Sequence, residues 1–157
     1  METKVGAAVQ QALGPVMEAM QTEIFRRAEA IGEAYRAESW SRRKGPLLER
    51  PRFTLYVTRG RAGVAISYKK VHFMKTKKGW QPRSEHVAIG GTSKKRNVQY
   101  SMGKFRGAPA WERRMIERME EQFAELRRAS AYLARLAAFV RGIPKESPEQ
   151  SDQAEAA

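Results

Sequence analysis

Lysine and arginine side chains crowd the middle of the chain and are its most pronounced chemical feature. Residues 42–106 contain eighteen Lys or Arg and two Asp or Glu, a net charge of +16 in a chain whose total is +13. Crowded like charges cost folding stability through self-repulsion, and a polyanionic partner relieves that cost. The segregated charge therefore favours a nucleic-acid-binding surface over a generally basic protein that charge keeps soluble.

The candidate contact residues lie along this basic segment. Cations attract phosphates and release their counterions, and exposed aromatic rings stack on bases. We expect guanine contacts from Arg59, Arg61 and Arg83, because Arg forms paired hydrogen bonds with guanine, whereas lysines mainly position the DNA backbone. Trp80 lies in a predicted turn, and a position in the hydrophobic core and a contact with nucleic acid suit it equally well. The other candidates are Lys69, Lys70, Lys75, Lys77, Lys78, Lys94, Lys95, Arg96, Lys104 and Arg106.

Three of these cations, Lys94, Lys95 and Arg96, are consecutive and follow two glycines in a predicted loop. We interpret the triplet as phosphate clamps that orient a sheet on DNA, and not as residues that read its sequence. Phe73 and Phe105 interleave with the cations, and we expect both in the hydrophobic core.

Residues suited to catalysis are scarce. The chain has no cysteine, its two histidines are His72 and His86, and the carboxylates of the basic segment are Glu49 and Glu85. A metal-dependent nuclease needs several such ligands converging on one or two ions. Glu85 and His86 are neighbours and would point to opposite faces of a strand. We therefore predict no enzyme, no metal site and no cofactor.

The apolar pattern places these residues on a small sheet between two long helices. Residues 1–41 are predicted to be helical with a break at Gly14-Pro15, and residues 107–141 form a second long helix. The apolar seam of the second helix comprises Met115, Met119, Gln122, Leu126, Ala129, Leu133, Leu136 and Val140, with Ile116, Phe123 and Ala137 beside it. Two apolar helix faces and a sheet must bury one another, which predicts one α+β domain.

Alternation of apolar and polar residues predicts three or four antiparallel strands within residues 42–106. The strands are expected near 53–57, 64–74 with a bulge or strong twist at Lys69-Lys70, 83–89, and as a short fourth strand near 98–105. The order is α-β-β-β-(β)-α, with one cationic face of the sheet exposed. Residues 142–157 are polar and acidic and are predicted to be a disordered tail.

Partners other than nucleic acid are constrained less tightly. We find no signal-peptide pattern and no apolar run of about 18 residues, and the cations lie on strands instead of an amphipathic helix, so we expect a cytoplasmic protein without a membrane partner. The helix seam either packs on its own sheet or pairs with a second copy. A homodimer through the helices is left open.

Three stretches of the chain resemble the MobI-type auxiliary conjugative transfer proteins. They are VAISYKKVHFMKTKKGWQPRSEHVAIGG, YSMGKF and APAWERRMIERMEEQFAELRRASAYLARL, within about residues 52–140. The shared features are a basic strand pair ending in KKGW, a Y-S-x-x-x-F run, and a helix opening with Trp-Glu. The resemblance implies an accessory factor that assists a relaxase in mobilisation from an origin of transfer, and it carries over no catalytic residue.

Together these observations predict a DNA-binding accessory protein of conjugative transfer that recognises double-stranded DNA at or near an origin of transfer. A relaxase or another transfer protein is the implied protein partner. The alternatives are an RNA- or ribosome-binding module and a helix-mediated interaction adaptor.

Overall fold

The protein consists of two long helices and a three-stranded sheet, described over residues 3–90 and 98–143 in a computed structural model. In chain order the elements are α1 (Thr3–Arg42), β1 (Phe53–Gly60), β2 (Gly63–Thr76), β3 (Gly79–His86) and α2 (Ala110–Gly142). Short 3-10 helices span Leu47–Glu49 and Met102–Phe105. The predicted α+β class and the order α-β-β-β-α are confirmed. The tail predicted over residues 142–157 lies outside the described residues from 144 onward.

Helix α1 is continuous where the sequence predicts a break. Pro15 lies inside the helix, although its ring removes one backbone hydrogen bond and normally kinks or ends a helix. Hydrogen bonds to α2 on both sides of the proline hold the helix in place. Gln10 Nε2 donates to the Val140 carbonyl oxygen (3.0 Å), and Gln21 Nε2 donates to that of Ser130 (3.3 Å). The prediction of two separate helical segments is therefore wrong.

Strand β2 is long enough to have two different partners in the antiparallel sheet β1-β2-β3. Residues 63–70 of β2 pair with β1, and residues 69–76 pair with β3. The register is regular through Lys69 and Lys70, so of the bulge or strong twist predicted there, the bulge does not form. The apolar residues of β2 switch from one face to the other at this point, because β2 leaves the core here and its partner changes from β1 to β3.

The third strand begins earlier than predicted, and the predicted fourth strand does not form. Strand β3 starts at Gly79, because the turn Lys77-Lys78 followed by a glycine with φ of 99° already reverses the chain. Trp80 therefore lies on a strand and not in a turn. Within the described residues 98–105 there is only a loop and the 3-10 helix Met102–Phe105.

The core lies between the two helices and the inner face of β1 and the first half of β2. Phe53, Tyr68, Tyr100 and Phe105 cluster there, with three edge-to-face contacts at ring-centroid distances of 5.0–5.2 Å. Edge-to-face pairs are favoured by the quadrupoles of the rings and strengthen a core beyond area burial alone. The predicted core position of Phe105 is confirmed.

The buried face of α2 is rotated relative to the predicted seam. Three seam members are buried as expected: Met119, Leu133 and Val140. Three others are exposed: Gln122, Ala129 and Leu136. Ile116 and Phe123, expected only beside the seam, are fully buried. The helical period predicted for α2 is correct, but the residues that face the sheet lie one position later in the chain than the predicted seam.

Candidate nucleic-acid interface

The second half of β2 and all of β3 form a two-stranded ribbon, Lys69–His86, that extends beyond the core. Strand β1 begins at Phe53, which pairs with Lys70, so among the described residues no third strand lies beside the ribbon beyond that point. Every residue of β3 is exposed. An antiparallel pair with both faces in solvent contributes little to a core, and its sequence is free to serve a ligand.

The ribbon carries most of the predicted contact residues of the described chain. It holds six cations against one carboxylate, Glu85. The cations are Lys69, Lys70, Lys75, Lys77, Lys78 and Arg83. None of them forms an ion pair within residues 3–90 and 98–143. By contrast, Glu23 binds both Arg26 and Arg27 on α1 at 2.8 Å. The ribbon therefore gathers six cations that pair with no described carboxylate.

The outer face of the sheet, turned away from the helices, also carries exposed aromatic rings. Residues that pair across strands share a face, so Phe73 with Pro82 and Lys75 with Trp80 lie on this side. Phe73 and Trp80 are 61% and 69% exposed. The expectation of a core position for Phe73 is wrong, because none of the described helices and strands packs over its side chain. Trp80 likewise lies outside the hydrophobic core.

The same face brings a lysine and a tyrosine together. The Nζ of Lys69 lies 4.6 Å from the ring centroid of Tyr56, within the range of a cation–π interaction. The contact orients the ammonium group along the outer face instead of leaving it fully mobile.

Two predicted guanine-reading residues lie at the far end of the sheet. Arg59 donates to Thr22 Oγ1 (2.9 Å) and pairs with Glu18 of α1, so its guanidinium already has partners on the surface of the same chain. Arg61 lies in the β1–β2 turn, and the 14 residues of β2 separate that turn from Lys77 by about 43 Å. The ribbon and this turn are therefore separate surfaces.

The remaining predicted contacts fall into two groups. Lys104 and Arg106 flank the buried Phe105, whose ring contacts Phe53 and Tyr68 next to the base of the ribbon. Both cations are exposed. Lys94, Lys95 and Arg96 lie outside the described residues, so their role as phosphate clamps stays a prediction.

The sheet is held in position by two buried carboxylates that the sequence analysis missed. Glu112 of α2 is fully buried. Its Oε1 accepts hydrogen bonds from Tyr35 Oη (2.6 Å) and Phe53 N (3.0 Å), and its Oε2 accepts one from Arg52 N (2.9 Å). Burial raises the pKa of the Glu112 carboxyl above its ordinary value, and these hydrogen bonds counteract part of the rise. One side chain thus fixes the start of β1 to both helices.

Glu120, two turns further along α2, fixes the root of the ribbon in the same manner. It accepts hydrogen bonds from Tyr68 Oη (2.9 Å) and Tyr100 N (2.8 Å), and it pairs with Arg127 (3.0 Å). Burial, reinforced by the Glu120 charge, raises the pKa of Tyr68 well above its ordinary value, so the hydroxyl stays protonated and donates. Tyr68 immediately precedes the ribbon, which is therefore anchored to α2.

A sequence signal for both carboxylates existed. Glu112, Ile116 and Glu120 follow one another at spacings of four and share a helix face with Met119 and Phe123. Exposed Glu residues are so common on helices that this spacing was not interpreted as burial.

Neither a metal centre nor a membrane span is found in the described part of the chain. No three His, Asp or Glu side chains converge among residues 3–90 and 98–143. Over the same ranges neither helix has an apolar stretch long enough to cross a bilayer.

The fold and this surface define a small α+β protein with an exposed basic β-ribbon. The family model described as MobI protein matches residues 24–141, about three quarters of the chain, and the protein belongs to the MobI family. The match reaches into α1, further than the resemblance over residues 52–140. MobI is a family of accessory factors of conjugative mobilisation and is not a known enzyme family. No curated protein and no solved structure was found to match the chain.

Proposed function

We propose that this protein is a DNA-binding accessory factor that inserts its ribbon into the major groove of duplex DNA at or near an origin of transfer. The observation that carries the proposal is the ribbon itself, Lys69–His86, which has six cations without an ion pair to any described residue, one carboxylate and a strand, β3, that is exposed throughout. Membership of a mobilisation family supports DNA as the polyanion.

The dimensions of the ribbon suit this docking. Six residues of β2 extend beyond the start of β1, from Val71 to Thr76, and span about 20 Å. The major groove is about 12 Å wide and admits a two-stranded β-ribbon. Lys75, Lys77 and Lys78 at the tip would contact phosphates, and Arg83 is the ribbon arginine available for a guanine edge.

A charge-reversal experiment tests the docking site. The variant Lys77→Glu/Lys78→Glu should bind a duplex at least tenfold more weakly in fluorescence anisotropy titrations, and the slope of log K against log salt should become less steep by about 2 from a wild-type value near −5. The matched control, Arg128→Glu/Arg135→Glu, changes the net charge equally at exposed positions of α2 and should have a much smaller effect.

Equal weakening by both pairs would show that only total charge matters and would refute the ribbon site. Tight binding to RNA with none to duplex DNA would refute the DNA proposal. Selection from random duplexes would then test sequence recognition, and Arg83→Ala should reduce the enrichment of any G-containing motif.

We propose that a second copy of the chain covers the groove between α1 and α2, a cavity of about 760 Å³. Met20 and Val16 on its wall are 49% and 54% exposed. Its rim carries charges of both signs, including Arg27 and Glu125, so an identical surface is complementary to it. Light scattering at tens of micromolar should give a dimer, and Met20→Glu should give a monomer. A monomeric wild-type protein would refute this part of the proposal.

Transfer proteins act in assemblies, and a relaxase is the partner that we propose for this accessory factor. Co-purification of the wild-type protein with a relaxase encoded on the same mobile element should detect the complex. Absence of a complex both with and without origin DNA would argue against it.

A further inference from the structure

A groove opens at the base of the ribbon, and neither the duplex docking nor the helix pairing uses it. It has a volume of about 490 Å³ and lies between the end of α1, the segment before β1, and the first residues of the ribbon. We refer to it as the basal groove. The lining residues that matter here are Trp40, Arg43, Leu47, Arg50, Arg52 and Phe73.

The basal groove presents two exposed aromatic rings. Trp40 is 66% exposed and Phe73 is 61% exposed, which is unusual for large apolar side chains that line a concave surface. The guanidinium of Arg43 lies 3.2 Å from the centroid of the Trp40 ring. This stack makes a flat, positively charged platform, the kind of surface on which nucleobases stack.

Positive charge surrounds the platform and no carboxylate lines the groove. Arg50 Nε donates to the carbonyl oxygen of Gly45 (2.9 Å), and Arg52 Nη2 donates to that of Leu47 (3.4 Å). Each bond uses one of the five N–H donors of a guanidinium and holds the fork in place. The remaining N–H donors of Arg50 and Arg52 suit a phosphate, because a guanidinium can donate two parallel hydrogen bonds to two phosphate oxygens.

We propose that the basal groove binds an unpaired nucleotide of a DNA strand that leaves a duplex, so that the protein prefers a duplex with a single-stranded extension. The inference rests on the proposed function for the duplex part, because Phe73 belongs both to the ribbon and to the groove. The volume falls in the range of small-ligand sites and suits a nucleotide. An acidic peptide would satisfy the arginines, but it would make poor use of the flat platform.

The experiment compares one duplex with blunt ends and the same duplex with a five-nucleotide dT extension, by fluorescence anisotropy. Wild-type protein should prefer the extended duplex about tenfold, the size expected for base stacking on an aromatic ring. Trp40→Ala should abolish this preference and leave blunt-duplex binding unchanged. The matched control is Trp80→Ala, a tryptophan of similar exposure on the ribbon (69%), which should weaken both DNAs alike. Circular dichroism confirms that both variants are folded.

The outcomes separate the two proposals. If wild-type protein binds both DNAs equally, or if Trp40→Ala keeps the preference, the groove inference is overturned. It is also overturned if a Glu-rich peptide competes better than a dT oligonucleotide for the extended duplex. If the blunt duplex does not bind at all, the proposed function fails instead, and the groove inference stands only if the dT oligonucleotide binds wild type and not Trp40→Ala.

Discussion

Replacing Glu120 by Ala should destabilise the protein more than almost any other single change on α2. The substitution removes the acceptor for Tyr68 Oη and Tyr100 N, and it removes the partner of Arg127, whose side chain is only 10% exposed. Breaking a buried ion pair from one side costs about 3–5 kcal/mol, and an unsatisfied buried N–H costs roughly 1–3 kcal/mol more.

Two effects reduce the sum. The desolvation penalty of the carboxylate disappears, and Arg127 keeps the carbonyl oxygens of Ile66 and Val98 as acceptors, at 3.2 and 2.9 Å. We therefore expect a loss of about 3–5 kcal/mol, a large share of the 5–15 kcal/mol that holds a typical domain folded.

Urea unfolding followed by circular dichroism measures the loss. The control is Glu117→Ala, an exposed glutamate on the same helix, which should stay within about 0.5 kcal/mol of wild type. The double variant Glu120→Leu/Arg127→Met should recover only the ion-pair part of the loss, because replacing both partners of a buried pair by apolar groups leaves no unpaired charge, while Tyr68 Oη and Tyr100 N still lack their acceptor. A Glu120→Ala protein as stable as Glu117→Ala would refute the reasoning.

Three further predictions concern stability. An Ala methyl at Gly63 (φ 113°) would lie 2.4 Å from Ser130 Oγ, whereas an Ala methyl at Gly79 (φ 99°) would meet open space. Both variants share the roughly 1–2 kcal/mol cost of the left-handed conformation, so Gly63→Ala should lose at least about 1 kcal/mol more stability than Gly79→Ala. Equal unfolding midpoints of the two variants would contradict this. Burial raises the folded-state pKa of Glu112 above its ordinary value of 4.5, so the stability that Glu112 contributes is full below pH 4.5 and declines as pH rises through the folded-state pKa. In urea unfolding, the stability deficit of Glu112→Gln relative to wild type should therefore be larger at pH 4 than at pH 7. A deficit that grows with pH would refute the sign of this pH dependence. Pro15→Ala should raise the melting temperature, since it restores a hydrogen bond within a continuous α1; a lower melting temperature would argue against that continuity.

Much of the fold follows from local patterns in the sequence. The 3.6-residue period of Ile24, Ala28 and Tyr35 predicts α1, and all three are buried. The turn glycine Gly63 has the positive φ that its position in a hairpin suggests. The continuity of α1 through Pro15 could not be predicted, because it depends on hydrogen bonds to α2, more than a hundred residues away in sequence.

The candidate interface was predicted by composition and only partly by position. The lysines of the ribbon were identified from charge alone, but the exposure of Phe73 depends on where β1 begins beside β2, which no local pattern reveals. Arg59 illustrates a different dependence on the fold. Its residue type suits guanine, yet Glu18 and Thr22 of α1 occupy it, and that pairing depends on how the helix lies across the sheet.

The position of Glu112 and Glu120 so late in the chain has a consequence for synthesis. The backbone N–H of Arg52 donates to a carboxylate that lies 60 residues later in the chain. At a synthesis rate of about 5–20 residues per second, that carboxylate is made roughly 3–12 s after Arg52. During that time the start of β1 and the root of the ribbon have no acceptor, while the cationic strands have already emerged from the ribosome. Release of α2 therefore completes the sheet, and a chain truncated before residue 112 would present the basic segment without the framework that shapes it.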